Sequence, residues 1–180
     1  MTIDRPTLYP VLATLSCLLV GCGLYVNIPA QVGDYAYHDP NDPTVYGAAR
    51  VALAESLQQR PVATPVQVVL APGSTAETYT LVVDGLNSGQ LAWSRSVIVE
   101  GLDLVVVRQI RIRGMDAEVD LVHHHVQGGG LDPAPAVLET VYLQSRPFGS
   151  WRATRSRVWN IDADQALAPL ISSVWVHDEY

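Results

Sequence analysis

Leu104 to His125, LVVVRQIRIRGMDAEVDLVHHH, reads as two strands joined by a tight turn. Leu104, Val106, Ile110 and Ile112 recur at the two-residue period of a strand, with Arg108 interrupting that apolar face. Such alternation means that one face packs and the other meets water. Gly114-Met115-Asp116 supplies a hairpin turn. Ala117, Val119 and Leu121 then point one way along a second strand, which runs from Ala117 to His125.

Downstream, Val137 to Gln144 and Trp151 to Asn160 continue the strand pattern on either side of a turn at Pro147 to Ser150. The glycine-rich loop 127–135 precedes them, and a further strand is expected over Ser96 to Glu100. Upstream the period changes to that of a helix. Asp42 before Pro43 supplies an N-cap acceptor and a first-turn proline. Val45, Ala49, Ala52, Leu53 and Leu57 then mark one face of a helix that runs to Arg60-Pro61. Val66 to Ala71 is a short strand. Ser74 and Glu77 have capping-box spacing for a second helix, with Tyr79, Val82, Val83 and Leu86 as its buried stripe and Gly85 or Gly89 as its stop. Two helices followed by consecutive antiparallel strands predict an α+β fold, the helices covering one face of a curved β-meander. The element order resembles a cystatin-like or NTF2-like curved sheet, in topology and without a shared signature residue.

At the other end of the chain, Leu8 to Val20 is an uncharged stretch of signal-core length, too short to span a bilayer. It ends in Leu19-Val20-Gly21-Cys22, which resembles the lipobox of bacterial lipoprotein precursors. Leu19, Val20 and Gly21 fit the three places before the modified cysteine. Cys17 does not compete, because Thr14-Leu15-Ser16 precedes it. The resemblance implies cleavage before Cys22, a diacylglycerol on its thiol and a third acyl chain on its new amino group. Several chains anchor stably where one holds only marginally. It also implies a cell-envelope location with the domain facing the periplasm or exterior. Gly23 in place of Asp implies the outer membrane where there are two. The alternative is an ordinary secretory signal with a chance cysteine.

Organisation follows from this reading. Residues 1–21 are the leader, 22–42 a lipidated tether and extended arm, 43–162 the α+β domain, and 163–180 a tail that docks on the domain or on a partner. The leader removes one Asp and one Arg, so the mature net charge stays at −7. All 11 basic residues are arginine. A chain this acidic is a poor candidate for nucleic acid or anionic lipid, both of which need basic patches. With Cys17 removed and Cys22 acylated, no disulfide and no thiolate metal site is expected.

Chemistry-bearing residues are few. His123 and His125 share a strand face and could hold a metal, but Val126-Gln127-Gly128-Gly129-Gly130 follows where a cupin-type motif has its Glu. Glu118, Asp120 and His124 line the other face, read as an exposed polar sheet surface. Arg152, Arg155 and Arg157 are expected to meet Glu118, Asp120 or Glu139 across the sheet. Arg108, Arg152 and Arg155 are the candidates for binding a carboxylate or phosphate. The Asp39/Asn41/Asp42 cluster lacks the spacing of a calcium loop, and Gly73-Ser74 lacks the lysine of a phosphate cradle. There is no G-x-S-x-G elbow and no mature thiol nucleophile. These observations favour a non-enzymatic binding or scaffolding module with an envelope-protein partner, no nucleic acid, and no cofactor beyond the lipid on Cys22. The two alternatives are a periplasmic small-ligand-binding domain and a metal-dependent enzyme using His123 and His125.

Overall fold

Strand β4, Asp103–Arg113, turns back as β5, Asp116–His125, and the pair is the spine of a seven-stranded sheet. Their connection is the two-residue loop Gly114-Met115, with Gly114 at φ 63°, the left-handed conformation that a tight hairpin demands. The computed structural model describes residues 24–30, 33, 35–60, 66–86, 91–93, 102–125, 137–146 and 150–160. Strands β1 (Tyr25–Ile28), β2 (Val66–Val69), β3 (Leu91–Trp93), β6 (Val137–Ser145) and β7 (Trp151–Asn160) complete the sheet in the order β3-β2-β4-β5-β6-β7, with β1 also paired to β4. Helices α1 (Pro43–Gln59) and α2 (Ala76–Asp84) make the fold α+β.

The meander is β4 to β7, each strand antiparallel to the next. Beside it β2 runs parallel to both β3 and β4, so the sheet is mixed. The parallel step follows from α2, which lies between β2 and β3 in sequence and returns the chain to the end where it started. The three-residue β3 carries too short a pattern to be legible in sequence. The strand expected over Ser96 to Glu100, the expected loop 127–135, the expected leader 1–21 and the expected tail 163–180 lie outside the described residues.

Apolar phase along β4 differs from the expectation in an instructive way. The register with β5 slips between Val107 and Gln109, which makes Arg108 the extra residue of a β-bulge. Before the bulge Val105 and Val107 belong to the core, and after it Ile110 and Ile112 do. Leu104 and Val106 therefore lie on the opposite face from Ile110 and Ile112. A one-residue insertion reverses the side-chain phase, and a simple two-residue count across Arg108 misses it.

Helix α1 lies over this core with Val45, Ala48, Ala49, Ala52 and Leu53 buried. Its alanines let the helix axis approach β4 to β7 closely. The start follows expectation: Asp42 caps by accepting from the Thr44 amide at 2.7 Å, with Pro43 in the first turn. The start of α2 does not. Thr75 is its cap, accepting from the Thr78 amide, while Ser74 Oγ donates to the Ala71 carbonyl. Asn41 ties the two helix starts together, because its Oδ1 accepts from the Thr75 amide and from Thr78 Oγ1. Within the segment read as a tether, Tyr25–Ile28 are a strand in the sheet, and Val26 and Ile28 are core residues opposite Ile112 and Ile110. The sheet thus claims the chain from Tyr25 onward. Among the described residues no helix is long and apolar enough to cross a membrane.

Candidate functional site

On the helix-covered face, β5 carries Ala117, Val119 and Leu121 into the core and His123 continues that row. β6 places Glu139 opposite Leu121 on the same face, and α1 brings Ser56 down onto both. Ser56 Oγ donates to Glu139 Oε2 at 2.6 Å. His123 Nε2 lies 3.2 Å from that oxygen and 3.0 Å from Ser56 Oγ. Glu139 is 0 % exposed. Burial alone pushes its carboxyl up. The hydrogen bonds from His123 and Ser56, with the charges of His123 and Arg60, outweigh this and hold it at about 2. Among the described residues nothing hydrogen-bonds the other oxygen, Oε1.

The three residue types match a nucleophile, a base and an acid, but their arrangement does not match a relay. In a serine triad the acid and the serine use different nitrogens of the imidazole. Here both face the same Nε2, and the serine gives its proton to the carboxylate. The cluster clamps α1 to β5 and β6. The alternative of a metal on His123 and His125 meets the same arrangement, since His123 Nε2 is already engaged by Ser56 and Glu139. The His125 side chain lies outside the described residues. Among the described residues no group of three His, Cys, Asp or Glu is placed to hold a metal ion.

The opposite face carries a second constellation. Arg111 Nη2 lies 3.0 Å from Asp120 and 3.2 Å from Glu118. Asp120 Oδ1 accepts from Thr140 Oγ1 at 2.7 Å, and Thr140 Oγ1 accepts in turn from Trp159 Nε1 at 3.1 Å. The Arg157 guanidinium stacks over the Trp159 ring at 3.7 Å, and Arg155 stacks over Tyr142 at 4.0 Å. A polar ladder therefore crosses the sheet from β4 to β7. Two residues of the expected exposed polar surface are buried instead, Asp120 at 8 % and His124 at 4 % exposure, and Thr140 of the ladder is 4 % exposed. Leu104, Val106 and Val122 are buried on this face as well, so the middle of the sheet is closed on both sides.

The expected pairing of the β7 arginines with acids does not form. Arg111 takes Glu118 and Asp120, Tyr142 stands between Glu118 and Arg155 in the register, and Glu139 points to the helices. Arg155 and Arg157 remain exposed, held by aromatic rings and by no carboxylate among the described residues. Of the anion-binding candidates, Arg155 sits on this rim and Arg152 near the far end of the same strand. Arg108, in the β4 bulge, is separated from them by β5 and β6. Arg157 belongs to the arginine cluster expected on this strand, and the stacking partners Tyr142 and Trp159 are the members that expectation lacked. The available signal was the spacing of Arg155, Arg157 and Trp159, which puts them on one strand face. No family model matches this chain, and no curated protein and no solved structure is significantly similar to it.

Proposed function

We propose that this chain is a lipid-anchored cell-envelope module that binds another envelope component, without catalysis, through the arginine rim of β7. The observation that carries the reading is the pair of stacked guanidinium planes, Arg155 on Tyr142 and Arg157 on Trp159. Stacking fixes the plane of a guanidinium while leaving its N–H edge available, which suits recognition of a carboxylate or phosphate. The network behind it, through Thr140 and Asp120 to Arg111, holds the rim in place before a partner arrives. Attachment rests on Leu19-Val20-Gly21-Cys22. A buried Ser56-His123-Glu139 clamp that stabilises the domain is consistent with a binding role.

Photo-crosslinking in intact cells tests the reading. A photoreactive residue at position 155 is expected to give one discrete adduct, absent from position 58 on exposed α1 and lost on Arg157→Glu. Equal adducts from both positions, or no adduct at 155, would overturn the proposed rim.

A further inference from the structure

The exposed apolar side chains are unevenly distributed. Of the large hydrophobics exposed among the described residues, Leu24, Tyr25, Tyr35, Tyr37 and Met115 gather at one end of the sheet, leaving only Leu81 and Val158 elsewhere. The backbone brings them together. The Gly114 amide donates to the Leu24 carbonyl at 2.8 Å, which sets the start of β1 beside the β4–β5 hairpin. Tyr37 bridges to Val26 in parallel and its amide donates to the Tyr25 carbonyl, so Tyr35 runs back toward Leu24. The Ser145 amide donates to the Met115 carbonyl, adding the end of β6 to the same tip. Arginines collect there too. Arg113 lies over the Tyr25 ring at 5.8 Å, Arg146 follows β6, and Arg152 is the second residue of β7, with Asp116 on the same strand tips and Asp39 and Asp42 set back beside Tyr37. A chain of net charge −7 thus has a basic, aromatic end that its overall composition conceals.

This is also the end nearest Cys22. Only Gly23 lies between Cys22 and Leu24, a reach of at most about 7 Å. We propose that the β4–β5 hairpin tip and the start of β1 rest in the headgroup layer of an anionic bilayer, so that the domain stands on the membrane by its sheet end. The inference rests on the reading that Cys22 carries lipid, and adds the surface that faces the membrane. Tyrosine rings favour the interface, where one end is apolar and the other wet. Arginines at the rim can reach the phosphates while their stems lie along the apolar patch. In this pose the sheet stands up from the bilayer. The clamp of Ser56, His123 and Glu139 and the far ends of β5 and β7 then lie away from it.

Met115 is its own probe, because Met1 leaves with the leader and the sequence holds two methionines. The mature chain from Cys22 is coupled through that thiol to a maleimide phospholipid and placed on phosphatidylglycerol/phosphatidylethanolamine vesicles. A water-soluble oxidant that does not cross the bilayer, chloramine-T, is added, and Met115 sulfoxide is followed by mass spectrometry. The expected result is sulfoxide formation several-fold slower than in the uncoupled chain, with protection lost in the Tyr25→Asp/Arg113→Glu variant. Equal rates for coupled and uncoupled chain would overturn the proposal. Because the lipid is attached chemically, that outcome bears on docking alone; acylation in cells is read separately from the fractionation of Cys22→Ser.

Discussion

Glu139 is the residue on which burial and charge conflict most sharply. A carboxylate at 0 % exposure is stable only because Ser56 and His123 both meet its Oε2. Its folded-state value of about 2 lies below its ordinary 4.5, so the group contributes stability that is fully present above about 4.5. That contribution is lost as pH falls toward about 2, and is on the order of 3 kcal/mol for this one carboxyl. Glu139→Gln is expected to cost roughly 1 to 3 kcal/mol at neutral pH, since an amide cannot hold both partners as well. It should also flatten the acid limb of the stability curve. Urea unfolding of both proteins from pH 7 to pH 2 checks this, and parallel curves would contradict it. Sequence reading singled out His123, but as an alternative metal ligand beside His125 and not as a partner of Ser56 and Glu139. Glu139 alternates in phase with Val141 and Leu143, so its inward direction was legible. Its partner Ser56, on a helix far away in the chain, was not, because no local pattern encodes which helix turn lands on which strand.

At the scale of the element, Arg108 shows how one residue sets the use of a whole strand. The bulge lets Val105 and Val107 share the helix-covered face with Ile110 and Ile112. Arg108→Ala keeps the residue count and should change stability by no more than about 0.5 kcal/mol. Deleting Arg108 is a different perturbation. It turns either the first or the second half of β4 inside out, and the domain is expected to lose cooperative unfolding. Thermal melts of the two variants distinguish these outcomes, and a deletion as stable as the substitution would show that the bulge is dispensable. Helix α1, the hairpin at Gly114 and strands β5 to β7 were legible because capping chemistry, a turn glycine and strict alternation are local signals. The bulge, the Thr75 cap and the insertion of β1 beside β4 were not. Each depends on register between distant segments: Thr75 rather than Ser74 caps α2 because Ser74 is turned back to Ala71 and Asn41 bonds the Thr75 amide.

For the whole molecule, the proposed function and the proposed membrane contact fall on two separate surfaces. One end of the sheet gathers Leu24, Tyr25, Met115 and three arginines, and the β6–β7 rim presents Arg155 and Arg157 on their aromatic supports. Both proposals depend on the reading that Cys22 is a lipid attachment site, for which Leu19-Val20-Gly21-Cys22 is the ground. The basic, aromatic end of the sheet was hidden from composition because charges on the tips are averaged against acids elsewhere. The rim was half legible, since strand spacing names its arginines and Trp159 but not Tyr142 on the neighbouring strand. The most direct measurement is fractionation of cells expressing the wild-type chain and Cys22→Ser, with the mass of the mature N-terminal peptide determined in each. The expected result is a wild-type protein in the membrane fraction with an acylated Cys22, and a Cys22→Ser protein that is soluble or unprocessed and lacks the acyl mass. An unmodified Cys22, or a Cys22→Ser protein processed normally and retained equally on membranes, would contradict the anchor on which the functional reading stands.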